Sequence, residues 1–127
     1  MAWLDELQLD EMGPTRVTAH LDVGPDHHQP FGIVHGGVWC SVVETVASVG
    51  AFHAAKDFGI STVVGVANST DFLRSMSEGR VDVTGWPVHV GRTQQLWQVE
   101  ISRATDGKLV ARGQVRLQNL ADPPGGG

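Results

Sequence analysis

Apolar and polar residues alternate at Val17, Ala19, Leu21 and Val23, the period of a half-buried strand. The pattern changes after Gly36 and Gly37. From Val38 to Phe52 apolar residues occupy nearly every helical face, no proline intervenes, and the polar members are almost all small. This predicts a long helix ending near Lys56 and Asp57, enclosed by other structure. Successive strands follow at about 61–73, 80–90, 94–104 and 108–119, separated by Gly79, Gly91 and the Asp106-Gly107 pair, a strong hairpin signal. The last three should form a meander, with Leu96, Val99, Ile101, Leu109, Ala111, Val115 and Leu117 supplying one buried face, and Pro87 marks a bulge or an edge. Ahead of all this, residues 3–12 carry leucines at 4, 7 and 9 and predict a short helical or irregular lead-in closed by Gly13 and Pro14. The expected architecture is α+β: an antiparallel sheet of five to six strands wrapped around one central helix. It comprises a lead-in over 1–14, a single domain over 15–120 and a disordered tail over 121–127, with no internal repeat.

Glu44 is the only charge in the helix before Lys56. An unpaired carboxylate costs several kcal/mol to bury in apolar surroundings, so its presence there needs a functional reason. A membrane span is the competing interpretation, but the segment is at the short end of the roughly 20 apolar residues required and would carry Glu44 at its midpoint. No membrane partner is expected.

Composition narrows the function classes. A chain of 127 residues with a net charge of −5 suits one domain and lacks the basic patch of a nucleic-acid binder. The arginines of the second half are scattered singly and suit one small anionic ligand better than a polymer. A single cysteine, Cys40, allows no internal disulfide, and no charged segment followed by an apolar one opens the chain, so the cytoplasm is the expected compartment. The histidines at 20, 27, 28, 35, 53 and 89 form no zinc spacing; no metal and no cofactor are expected. Cys40, four residues before Glu44, raises thiolate attack with His35 or His53 as base, which is disfavoured because buried cysteines are usually inert.

Three groups of residues agree in spacing: Gln29-Pro30-Phe31-Gly32, then His35-Gly36-Gly37, then Glu44 eight residues after Gly36, with Ser48 one turn further on. Together with Phe72-Leu73-Arg74 and Gly91-Arg92-Thr93, they make the chain resemble the hotdog-fold thioesterases of the phenylacetate-pathway and Arthrobacter-type 4-hydroxybenzoyl-CoA group, over about residues 15 to 119. The resemblance implies hydrolysis of an acyl-CoA thioester, with Glu44 as nucleophile or general base and the Gly36 amide as donor to the developing oxyanion. It implies that Gln29 positions the thioester carbonyl or the attacking water, that His35 bonds backbone or ligand, and that Ser48 orients the carboxylate or a water. Gly37, Arg74, Gly91, Arg92 and Thr93 are the implied substrate-binding positions. Two departures stand out: the acid is Glu where phenylacetate-pathway members carry Asp, and Ser75-Met76 replaces the proline common after the Leu-Arg pair.

Physical chemistry supports these roles. Thioester hydrolysis builds negative charge on the carbonyl oxygen, and a backbone N–H at a helix amino terminus is a preorganised donor for it. Within one subunit Glu44 lies about 12 Å up the axis from Gly36, too far to act on the same carbonyl. The site should therefore combine two chains with antiparallel helices: a homodimer, and by the family pattern a dimer-of-dimers tetramer. Two alternatives remain open at this level, a hydroxyacyl thioester dehydratase or hydratase of the same fold and a non-catalytic acyl-CoA sensor. The acyl group is equally open, with hydroxybenzoyl, phenylacetyl, dihydroxynaphthoyl and fatty acyl thioesters as candidates and Trp39, Phe72 or Trp86 as the expected aromatic lining of an aromatic or medium-chain pocket. A carrier-protein thioester fits less well, because the chain's negative charge would not help it bind an acidic carrier.

Overall fold

The computed structural model describes residues 6–121. Six strands, β1 (Gln8–Met12), β2 (Val17–Val23), β3 (Thr62–Phe72), β4 (Gly79–Val90), β5 (Gln94–Arg103) and β6 (Leu109–Leu120), form one antiparallel sheet around the helix α1 (Gly36–Ala55). Their order is β1-β2-β4-β5-β6-β3, so the meander β4-β5-β6 holds the centre, and β1 and β3 are the edges. The proposed tail lies almost wholly outside the described residues, as do positions 1–5.

The inward parity of the strands builds the core. Leu21 of β2, Val81 and Val83 of β4, Trp97, Val99 and Ile101 of β5, and Val115 and Leu117 of β6 are fully or almost fully buried against Val42, Val43, Val46 and Ala47 of α1. Leu96 does not belong to this face, contrary to expectation: it has the opposite parity from Val99 and Ile101 and is only half-buried. Pro87 does mark a bulge. The register passes from Pro87↔Trp97 to His89↔Leu96, leaving Val88 unpaired, at a point where β4 has run past the end of β2 and no other strand needs the missing N–H.

Two further expectations change. Residues 8–12, read as helical or irregular lead-in, are the edge strand β1, paired with β2 from Gln8↔His20 to Met12↔Val17. All five are exposed, so no buried stripe betrays the strand; pairing alone makes it. The helix, in turn, is not enclosed on every side within the protomer. Val38, Trp39, Val42, Val43, Val46, Ala47, Gly50 and Ala51 face the sheet, whereas Glu44 and Phe52 are exposed and Ser41, Thr45 and Ser48 half-exposed. Small residues on that outer stripe hide the amphipathicity from a hydropathy pattern. The stretch Gly36–Phe58 is long and apolar enough to cross a membrane by length and composition alone, but 56% of its most apolar window is buried inside the protein.

α1 begins where the His-Gly-Gly turn predicts. His35, in extended conformation, caps it, with its Nδ1 accepting the Gly37 N–H at 2.8 Å and its carbonyl accepting the Val38 N–H at 2.9 Å. The helix ends in a 3-10 turn (Lys56–Phe58) closed by Gly59 in the left-handed conformation, φ 72°.

Candidate active site

Edge strand β3 runs along the outer flank of α1 and carries the local geometry. Gly65 pairs with Leu117 and Ala67 with Arg116, leaving Val66 as a bulge that switches which parity faces the helix. Before it, Gly65 lies against the Glu44 side chain: a Cβ placed there would be 3.4 Å from the carboxyl carbon. After it, Asn68 Nδ2 donates to the Cys40 carbonyl at 3.0 Å, the carbonyl that also closes the helical turn to Glu44. Thr70 Oγ1 donates to Asn68 Oδ1 at 2.6 Å, which orients that amide. The last residue of the strand, Phe72, lies over Gly36.

Two half-sites result, both open on the β3 side of the helix. The first is a cleft of about 320 Å³ at the amino terminus of α1, lined by Gln29, Ile33, Val34, Gly36, Trp39, Phe72, Leu73, Arg74 and Ser75. Gly36 is the first residue of the helix, and among the described residues nothing accepts its N–H. Gln29 is held by its own loop: its backbone N–H donates to the Ile33 carbonyl at 2.8 Å, and its side-chain carbonyl accepts from the Phe31 N–H. That leaves its NH₂ as the group it can offer a ligand. Arg74 Nη1 donates to the Leu109 carbonyl at 2.7 Å, anchoring the guanidinium at the wall with donors to spare.

The second half-site is a groove of about 620 Å³ bordered by Met12, Glu44, Thr45, Ser48, Val49, Phe52, His53 and residues 61–63. Its lining is largely apolar, and the Glu44 carboxylate stands exposed at its margin. The expectation of a buried Glu44 is therefore corrected for the protomer. Ser48 lines the same groove one turn on, but no hydrogen bond joins it to Glu44.

The remaining candidates separate. His35 has a backbone role, as the helix cap, and that cap also occupies the Gly37 N–H, so Gly37 offers a ligand only its bare backbone surface. Gly91, Arg92 and Thr93 form the β4–β5 turn near the far end of α1, where the Arg92 guanidinium stacks 5.4 Å from the centre of the Phe58 ring. Within one protomer they meet neither Gly36 nor Arg74. Of the three aromatic candidates, Trp39, 2% exposed, and Phe72 line the Gly36 cleft, whereas Trp86 lies on the outer face of the sheet beside Val88 and Gln98 and cannot line that cleft.

A polar network escaped sequence analysis. Gln95, 1% exposed, accepts from Trp97 Nε1 at 2.8 Å and donates at 3.0 Å both to the Ala51 carbonyl of α1 and to Asn119 Oδ1. Asn119 in turn donates to the carbonyls of Gly91 at 3.0 Å and Arg92 at 2.9 Å. The network ties the Arg92 turn to the helix. Its signal was available: Gln95 has the buried parity of Trp97, Val99 and Ile101, and a polar residue there must be hydrogen-bonded.

Chemically, the first half-site offers an unpaired N–H at a positive helix end, and the second an accessible carboxylate with a hydroxyl beside it. Among the described residues no cluster of His, Cys, Asp or Glu could hold a metal ion.

Known proteins are similar to this chain in sequence and fold. An esterase-named protein of Mycobacterium tuberculosis is 52% identical over 119 residues, spanning 93% of this chain and 84% of its own length. Its solved structure superposes with a TM-score of 0.88 over 94% of each chain. The 1,4-dihydroxy-2-naphthoyl-CoA hydrolase of Escherichia coli is 32% identical over 96 residues, 76% of this chain and 69% of that one. The structure of a thioesterase from Haemophilus influenzae matches with a TM-score of 0.83 at 29% identity, over 97% of this chain and 85% of that one. The sequence model of the thioesterase superfamily matches residues 31–110, which include Gly36, Glu44 and the whole of β3 and α1. Because that match covers more than half of the sequence, the chain belongs to the thioesterase superfamily.

Proposed function

We propose that this protein hydrolyses an aromatic acyl-CoA thioester at a site shared between two copies of the chain, the Gly36 amide of one facing the Glu44 carboxylate of the other. One observation carries the proposal: the unpaired Gly36 N–H and the exposed Glu44 both lie against β3, at Phe72 and Gly65, yet about 12 Å apart along the helix. A second copy, antiparallel across the open edge of β3, would bring each half-site onto the complement of the other. The dimer axis would then pass near residue 40, midway between 36 and 44, where Asn68 bonds the Cys40 carbonyl. The far end of the partner's helix, with its Arg92, would lie about 20 Å beyond the Gly36 cleft along the axis, at about 1.5 Å per residue, and add a cation there for the CoA phosphates. Pairing of such dimers into a tetramer is part of the same proposal.

In the shared site the thioester carbonyl oxygen accepts the Gly36 N–H and the Gln29 NH₂ steadies the carbonyl or the incoming water. Glu44 then either takes a proton from that water as its oxygen adds to the carbonyl carbon, or adds directly to give an acyl anhydride that water opens. Collapse of the tetrahedral species expels the CoA thiolate, which takes up a proton. The helix dipole and the amide stabilise the oxyanion without reorganisation. An aromatic acyl group is favoured by Trp39 in the cleft and by the naphthoyl-CoA activity named for the E. coli relative.

Free-thiol release from a panel of aromatic and aliphatic acyl-CoA esters tests the assignment, with wild type and Glu44→Ala compared after a folding check on both. The variant should lose about two or more orders of magnitude in kcat while its melting temperature holds, because among the described residues no hydrogen bond or ion pair ties the Glu44 carboxylate to the fold. Undiminished turnover removes Glu44 from the mechanism. Binding without turnover on any ester would indicate a sensor, and water addition to an enoyl thioester a hydratase.

A further inference from the structure

The identity of residue 36 as glycine has no backbone explanation. The glycines with positive φ are Gly32, Gly59, Gly79 and Gly107, and the first position of a helix accepts any side chain. What excludes a side chain there is Phe72: a Cβ on Gly36 would fall 2.6 Å from Cε2 and from Cζ of that ring.

We propose that Phe72 is a positioning residue for the Gly36 amide, its ring shielding the N–H from bulk water and fixing the side from which a thioester carbonyl reaches it. The inference rests on the hydrolase function proposed above. Phe72 is well placed for such a role. Its backbone is fixed, paired with Ala111 in the sheet and followed by Leu73, whose N–H donates to the Val110 carbonyl at 2.8 Å. Its ring is 56% exposed and so contributes little to the core. A large aromatic held by a rigid strand end against the Cα of the residue that carries an unpaired donor serves the donor better than the fold. Excluding water from one side of the N–H lowers the local dielectric and strengthens its interaction with an oxyanion more than with a neutral carbonyl, which raises kcat with little effect on KM.

The test is a double-mutant cycle on kcat and KM, using the acyl-CoA that wild type hydrolyses best, with melting temperatures for every variant. Phe72→Ala removes the ring. Gly36→Ala keeps the N–H but pushes the ring aside, at small cost within the protomer because the clashing atoms are the far end of the ring and not backbone. Each should lower kcat about tenfold with KM within about threefold, less than the loss from removing an oxyanion donor itself. The double variant should fall no further than the more affected single, within about twofold, because both act through the same ring. Phe72→Leu should lose less kcat than Phe72→Ala, since an apolar wall remains. Multiplicative losses in the double variant, an unchanged kcat in Phe72→Ala, or a loss confined to KM would each overturn the proposal. If those results come with a dead Glu44→Ala, the hydrolase function survives and only the role of Phe72 is lost. A wild type inactive on every thioester removes both. Should Phe72→Ala melt early, Phe72→Leu and Gly36→Ala, which preserve more apolar volume, decide the matter.

Discussion

Helix α1 approaches the sheet closely enough that single atoms matter. A Cβ at Gly50 would lie 2.3 Å from Cη2 and Cζ3 of Trp97, a ring that is fully buried and tied through Nε1 to Gln95. Glycine in a helix interior costs about 1 kcal/mol relative to alanine, so on propensity alone Gly50→Ala should stabilise. Overpacking opposes it, at about 1–3 kcal/mol, and neither the ring nor the helix can yield without disturbing the Gln95 network. Gly50→Ala should therefore lower the urea midpoint; a midpoint at or above wild type would show that the Trp97 ring can relocate. Residue-scale chemistry was partly legible in the sequence. Glu44, Gln29 and the His-Gly-Gly turn could be singled out as candidates because their spacing resembles a family motif, but the neighbour of Gly36, a phenylalanine 36 positions away, has no spacing relation to it and only packing could disclose it.

At the scale of elements, strands and helix follow period and punctuation. The Asp106-Gly107 pair closes the β5–β6 connection as expected, with Gly107 at φ 71°. Asp106 there accepts from the Arg103 guanidinium at 2.7 and 3.2 Å and from the Lys108 N–H at 3.0 Å. The hydrogen bonds from Arg103 first, and then from the Lys108 backbone, hold its carboxyl below the usual carboxylate range. A carboxylate whose folded pKa is depressed contributes stability above its unfolded pKa and loses that contribution as pH falls through the folded value. Asp106→Asn should thus melt slightly below wild type near neutrality, and the two curves should converge on acidification below about pH 4. A constant gap at all pH values would assign the effect to hairpin geometry instead of charge. The element that sequence misassigned is β1. Its residues have no buried face, and leucines at a helical interval compete for the assignment, so only the presence of β2 beside it decides.

At the scale of the whole molecule, the proposed shared site makes a prediction that no single-chain site would. Gly36→Pro removes the donor N–H while suiting the first helical position, and His35 already has the extended backbone, φ −65° and ψ 135°, that precedes proline. Alone, Gly36→Pro and Glu44→Ala should each be inactive. Co-expressed, they should recover about a quarter of wild-type activity, because random pairing makes half the dimers mixed and each mixed dimer carries one intact site of two. No recovery, with mixed dimers present by mass spectrometry, would confine the site to one chain. Light scattering supplies the companion measurement: a stable, active monomer would abolish the two-chain site outright.

Local pattern was enough, from the sequence alone, to determine the α+β class, the long apolar helix and its start, the central meander and an irregularity at Pro87, because period and turn chemistry are short-range properties. Tertiary structure alone decided that β1 is a strand, that Glu44 stands exposed in the protomer, that Trp86 faces away from the cleft, that Gln95 and Asn119 brace the Arg92 turn, and that Phe72 lies on Gly36. Each of these depends on which strand lies beside which, and on a one-residue bulge at Val66 that reverses the parity of half of β3, information that exists only when distant segments meet.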